Sequence, residues 1–207
     1  MKIEDRIKEG EGLHLDFKML IDNQRKIAKT MCAFANTDGG TILIGVKENG
    51  KVSGCEPSEQ FHMISAAADL YTEPIIPFTS QIHQVKHKLV LQIDVQKSNE
   101  LHQSLDEENL WHYYLRVKDV SLEANPVLER YLEMKTEKSV KPQVVEGDFG
   151  VVLSLFEGEV KYSFSRLHKM TDLKLNRLEE VLAQLIYWDL IGYTIDETGV
   201  VYLLKNQ

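Results

Sequence analysis

The residues best equipped for chemistry are three carboxylates, Glu11, Asp16 and Glu48, with Lys18 two places beyond Asp16. Oxygen ligands of this kind suit a hard divalent cation such as magnesium or manganese. A cation held there would activate water and stabilise charge on a phosphate, and Lys18 would meet the phosphate itself. The expected catalytic set is therefore Glu11, Asp16, Glu48 and Lys18, with the three acids as metal ligands. The competing expectation is an acidic edge facing solvent. Spacing does not decide between them, because the fold must bring the acids together.

Two other groups of residues suit anions. Arg25, Lys26 and Lys29 fall on the outer side of an expected helix, and Arg116 and Lys118 on one face of an expected strand. Together they form the expected nucleic-acid patch, the alternative being ordinary solubility charge, and Lys174 and Arg177 of a later helix are separate nucleic-acid-binding candidates that stand beside Glu179 and Glu180. The turn Asn36-Thr37-Asp38-Gly39-Gly40 is the second group. Its glycines allow positive φ or close backbone approach, and Asn36, Thr37, Gly39 and Gly40 make an expected anion-binding turn.

The elements that must position these groups lie mainly in residues 13–55. Leu13, Leu15 and Phe17 alternate with His14, Asp16 and Lys18, the pattern of a half-buried strand with a polar face. Ile27, Met31, Phe34 and Ala35 recur at helical spacing behind a cap at Asp22 or Asn23. Residues 41–46 read as a central strand, and Glu48-Asn49-Gly50-Lys51 as a hairpin turn.

These blocks resemble the Schlafen-type, AlbA_2-like domain. The matching text is Glu11, then Leu15-Asp16-Phe17-Lys18, then Ala-Phe-Ala-Asn-Thr-Asp-Gly-Gly at 33–40, then Ile44-Gly45-Val46-Lys47-Glu48. Three blocks in order make the signal specific, and the resemblance covers residues 1 to about 135. It implies an α+β fold with a mixed sheet and packed helices. Nuclease-type Schlafens cut RNA with three acids in this domain, which places those roles on Glu11, Asp16 and, less directly, Glu48. Asp16 stands where Glu is usual and Glu48 where Asp is usual. The nuclease members pair two such lobes, so this chain would need a dimer to imitate them. Many bacterial relatives are described as DNA-binding or transcriptional regulators.

Composition narrows the classes. The chain has 207 residues, is 43% hydrophobic and carries a formal net charge of −8. No basic block spans it, so any grip on a phosphate backbone must be local. Two cysteines, Cys32 and Cys55, make neither a disulfide framework nor a zinc knuckle. No basic-then-apolar leader is present and no apolar run approaches about 20 residues. A cytoplasmic protein without membrane contact is expected. The Walker pattern is missing, so no ATP is expected.

Further along, helices are expected at 3–9 and 59–70, the second with Phe61, Ile64, Ala67 and Ala68 inward. Strands follow at 79–85 and 88–95 about a turn at His87-Lys88, then a solvated polar loop at 96–110, a strand at 111–117 and a helix from Asn125-Pro126. Polar residues 136–148 mark the boundary between domains at 1–138 and 139–207. Residues 151–156 suit either helix or strand. A short helix from Ser163, a long one over 173–190 with Leu175, Leu178, Val181, Leu182, Leu185 and Ile186 as its stripe, and a hairpin follow. This order resembles a winged helix-turn-helix. The favoured function is nucleic-acid binding by a transcriptional regulator or regulatory module, which needs no cofactor and is expected to be a homodimer. One alternative is a magnesium- or manganese-dependent ribonuclease. The other is a protein-interaction module.

Overall fold

The structure, a computed structural model, describes residues 2–136, 146–156, 158, 160–197 and 199–205. The fold class is α+β, and the chain divides into two compact units, Met1–Glu123 and Ala124–Gln207.

The first unit runs α1 (Ile3–Glu9), β1 (Leu15–Lys18), α2 (Gln24–Asn36), β2 (Gly40–Ile44), α3 (Pro57–Tyr71), β3 (Thr72–Glu73), β4 (Phe78–Val85), β5 (Lys88–Val95), β6 (Gln103–Leu105), β7 (Trp111–Val117) and β8 (Val120–Glu123). Its main sheet has the order β1-β2-β5-β4, with β1 and β2 parallel and the other pairs antiparallel. A second sheet has the order β3-β6-β7-β8.

α2 forms because Asn23 caps it, its side chain accepting from the Arg25 and Lys26 amides at 2.8 and 3.1 Å. From Ile27 onward nearly every residue of α2 is buried. The helix packs with α3 on one face of the main sheet, against Ile42, Ile44, Leu91, Ile93 and Val95, and also meets β6 and β7. The other face is covered by Ile3 and Ile7 of α1, which join Leu15, Phe17, Leu43, Val85 and Val90. The sheet is thus filled on both sides at β1 and β2, as apolar central strands require.

The glycine turn is a packing device. A Cβ on Gly40 would sit 2.4 Å from the Phe34 ring, and Gly39 has φ +73 with backbone of Val95 and Lys97 2.9 Å from where its Cβ would be.

Several expectations change. β1 is buried on both faces instead of half-buried, and Leu13 lies outside it and exposed. The polar stretch 96–110 holds β6, with His102 and Ser104 buried, because the ladder to β7 pairs its backbone and the His102 ring is bonded to the Pro74 carbonyl and Ser98, while Ser104 Oγ has no partner among the described residues. Phe61 is exposed, with its ring tilted against Phe78 at 5.9 Å between centroids. The hairpin turn falls at Lys86 and His87, one residue earlier than expected, with Lys86 at φ 57.

The second unit runs α4 (Pro126–Thr136), α5 (Gly147–Ser154), β9 (Lys161–Ser163), α6 (Phe164–Met170), α7 (Leu175–Tyr187), β10 (Ile191–Asp196) and β11 (Gly199–Leu204). Its three-stranded sheet has the antiparallel order β10-β11-β9. α4 packs on α7 and so groups with this unit, earlier in the chain than the 138/139 boundary read from composition. Of the expected linker 136–148, residues 137–145 lie outside the described residues. Ser163 caps α6 by accepting from the Arg166 amide. Leu178, Val181, Leu182, Leu185 and Ile186 are the buried stripe of α7, while Leu175, expected among them, is 53% exposed because it opens the helix before the stripe begins. The Tyr202 hydroxyl accepts from Asn125 Nδ2 at 3.1 Å, and burial pushes its pKa up to about 12.

Candidate functional site

Asp16 is 4% exposed and both of its oxygens are taken. Oδ1 accepts from Arg116 Nη2 at 2.9 Å, and Oδ2 pairs with Lys18 Nζ. Arg116, 3% exposed, also donates from Nη2 to the Leu15 carbonyl at 3.2 Å, from Nε to the Gly12 carbonyl at 3.1 Å and from Nη1 to Ser121 Oγ at 3.3 Å. Its guanidinium lies 4.9 Å from the Phe34 ring centroid. The planar five-donor fork suits this work; a lysine would satisfy fewer acceptors. Arg116 was expected on a nucleic-acid surface, and the structure instead places it inside the lobe, where it neutralises Asp16.

Glu11 is also used within the fold. Its Oε1 accepts from the Phe17 amide at 2.8 Å, while the Gly12 amide donates to the Leu15 carbonyl at 2.9 Å. Glu48 stands exposed on the turn after β2. The three carboxylates therefore do not assemble, and no group of three His, Cys, Asp or Glu suited to a metal ion occurs among the described residues. A magnesium or manganese ion does not fit the acids as they stand, because Asp16 would have to give up both cations and Glu11 its amide.

The expected anion-binding turn is likewise satisfied from within. Asn36 Nδ2 donates to the carbonyls of His102 at 2.8 Å and Tyr114 at 3.0 Å, and its Oδ1 accepts from the His102 amide at 2.9 Å. Thr37 Oγ1 accepts from the Arg116 amide at 2.9 Å. The amides of Thr37 and Gly39 both donate to the Phe34 carbonyl, at 3.1 and 2.9 Å. The Asn36 side chain and the amides of Thr37 and Gly39 are thus bonded within the protein. Beside them, Cys32 Sγ donates to the His102 carbonyl at 3.0 Å, and burial pushes that thiol up to about 12, so it stays protonated.

The α2 cations face acids. Arg25 donates to the Asp106 carbonyl and to Asn109 Oδ1 at 2.8 Å, and lies 4.7 Å from the Tyr71 ring centroid. Lys29 lies 4.8 Å from the Tyr114 ring centroid. Arg25, Lys26 and Lys29 share an open pocket of about 240 Å³ with Asp106, Glu107, Glu108 and Glu123. The Leu110 amide, donating at 2.7 Å, holds Asp106 below its usual range, helped by His112. A polyanion would meet four carboxylates there, so this is not a basic patch. Lys118 sits on the exposed turn between β7 and β8, at φ 56.

An open groove of about 520 Å³ lies at the C-terminal ends of the parallel strands β1 and β2. Phe17, Lys18, Met19, Lys47, Glu48 and Asn49 line it. Of the expected site residues it gathers Lys18 and Glu48. Met19, Lys47 and Asn49 were not foreseen, although an exposed Met19-Leu20 pair after a buried strand is a signal a sequence can show.

In the second unit, Lys174 is exposed at the N-cap of α7. Arg177 is tied to Asp148 at 2.8 Å and Glu180 at 3.2 Å. Sequence reading missed Lys161, Arg166 and Lys169, which are exposed and, like Lys174, have no acidic partner among the described residues. Arg166 and Lys169 stand three residues apart on α6 and so share a face.

Two solved structures are similar to the chain. One is the N-terminal domain of a RecG-related protein from Nitrosomonas europaea, at 21% identity and TM-score 0.38, covering 46% of this chain and 71% of that one. The other is the DIP2311 protein from Corynebacterium diphtheriae, at 17% identity and TM-score 0.42, covering 93% of this chain and 34% of that one. No curated protein matches the sequence. The family described as Schlafen, AlbA_2 matches residues 11–125, more than half of the chain and the segment that holds β1, the glycine turn and Arg116. The chain belongs to the Schlafen, AlbA_2 family.

Proposed function

We propose that this protein is a nucleic-acid-binding regulatory module, acting in transcription in the cytoplasm, that binds without cutting. The observation that carries the reading is the state of Asp16. Both its oxygens are occupied by cations of the same lobe, which supports a structural role for Asp16, and among the described residues no group of three His, Cys, Asp or Glu is gathered for a metal ion. Family membership supports nucleic acid as the ligand class. The groove at Lys18, Met19, Lys47 and Asn49 is the binding surface in the first unit, with Lys47 meeting phosphates and the exposed Met19 lying under sugar or base.

The helix-helix-hairpin order of α6, α7, β10 and β11 and the β10-β11-β9 sheet support a winged helix-turn-helix reading of the second unit, with Arg166, Lys169 and Lys174 as its phosphate contacts. No cofactor or ATP enters. Among the described residues no helix is long and apolar enough to cross a membrane.

Anisotropy titrations of labelled duplex DNA and structured RNA over a range of salt test the proposal. The expected result is a binding constant that falls log-linearly with salt, with Lys47→Ala or Lys174→Ala each lowering the slope by about one unit. Flat titrations would favour the interaction-module reading. Manganese-dependent RNA cleavage, abolished by a folded Asp16→Ala variant, would favour the ribonuclease.

A further inference from the structure

The backbone direction of every strand in the main sheet follows from a few bonds. The Thr41 amide donates to the His14 carbonyl and the Gly45 amide to the Lys18 carbonyl, so odd-numbered residues of β2 face β1 and even-numbered ones face β5. The Leu89 carbonyl accepts from the Cys55 amide, on the β2 side of β5. Lys88, Val90, Gln92 and Asp94 therefore face β4, where their partners are Val85, His83, Gln81 and Thr79. By alternation, Phe78, Ser80, Ile82 and Gln84 direct their N–H and C=O groups away from the sheet, and no backbone partner meets them among the described residues.

This open edge lacks the usual guards. Exposed edges carry lysine, proline, a bulge or a charge pointing inward. β4 reads Phe-Thr-Ser-Gln-Ile-His-Gln-Val, with no Lys, Arg, Asp, Glu, Pro or Gly, in a chain that is 27% charged. Residues 79–82 are all exposed. Apolar side chains cluster beside the edge. Ile82 is 58% exposed, and Phe61 and Leu89 are exposed as well. Phe78, Ile82 and, opposite Gln84, Leu89 stand on the α3 face of the sheet, where Phe61 meets Phe78.

We propose that the outer edge of β4 pairs antiparallel with the same edge of a second copy of this chain. A twofold antiparallel pairing sets each segment against itself, so any net charge on the strand would oppose its own copy. β4 has none, which makes it self-compatible. A register with Gln81 opposite its counterpart pairs Ser80 with Ile82 and Phe78 with Gln84. It forms about eight backbone hydrogen bonds across the dyad. Ile82 of each copy is then covered near the axis, and Phe61, beside Phe78, lies toward the ends of the pairing. The opposite edge of the sheet, at β1, is closed by Glu11, Gly12 and Arg116, so assembly stops at two copies instead of growing into a fibre.

The pairing is independent of the nucleic-acid reading and is tested without any ligand. Sedimentation equilibrium of the full chain, up to about 100 μM to capture micromolar affinities, should give twice the 23.8 kDa chain mass. Ile82→Lys places like charges near the axis at an exposed position. Ser80→Pro removes only an outward-facing N–H and leaves the β4–β5 ladder whole. Both variants should be monomeric with unchanged circular dichroism. A wild-type chain that stays monomeric throughout, or a dimer that either folded variant leaves intact, overturns the proposal.

Discussion

The two edges of the main sheet are finished in opposite ways. At β1 the exposed side of the strand is answered group by group: the Phe17 amide by Glu11, and the Leu15 carbonyl by the Gly12 amide and Arg116. At β4 four residues present unanswered groups to solvent. Two of the family's three signature acids, Glu11 and Asp16, lie on the closed edge, while Glu48 stands on the turn after β2. What reads in the sequence as a reactive constellation is here the apparatus that ends a sheet, with Asp16 holding the arginine in place.

This contrast has a direct energetic test. Arg116→Ala should have the largest effect. It strands a buried Asp16 charge and leaves the Leu15 and Gly12 carbonyls with one donor fewer, and should cost about 3–5 kcal/mol in urea unfolding. Adding Asp16→Asn should recover part of that loss. Gln81→Pro comes next, because its N–H points into the β4–β5 ladder, and a cost of about 2–3 kcal/mol is expected from a lost bond plus strain. Glu11→Ala should cost about 1–2 kcal/mol and, in hydrogen exchange, release the Phe17 amide before its neighbours in β2. Ser80→Pro, measured at a concentration where the chain is monomeric, should change stability by no more than about 0.5 kcal/mol. If Ser80→Pro proved as damaging as Gln81→Pro, the β4 edge would not be open. If Glu11→Ala were silent, the β1 edge would not depend on its cap.

Local pattern carried much of the architecture. The strands at 79–85 and 88–95, the helical stripe of α2 and a cap at Asp22 or Asn23 all depend on neighbours within a few residues, and the structure has β4, β5 and α2 there, with Asn23 as the cap. The family blocks at Glu11, Asp16 and the glycine turn were legible too. Their roles were not, because those depend on partners far along the chain. Arg116 is separated from Asp16 by 100 residues, and His102 from Asn36 by 66. β6 was invisible for the same reason: its three residues have no apolar rhythm, and only the ladder to β7 makes them a strand. The polar face expected on β1 was correct in direction, since Asp16 does point away from Leu15 and Phe17. It was wrong about water, because Arg116 and Phe34 occupy that side.

Asn36 ends the helix at the centre of the lobe, and its one amide group is bonded to Tyr114 of β7 and to His102, the residue just before β6. The helix is also the body against which the first sheet packs. A single side chain thus laces the layers so that neither sheet can loosen while the other keeps its order. Melting of this lobe should be a single cooperative event, and an aspartate at that position, which turns two donated bonds into repulsions between oxygens, would fray both layers at once.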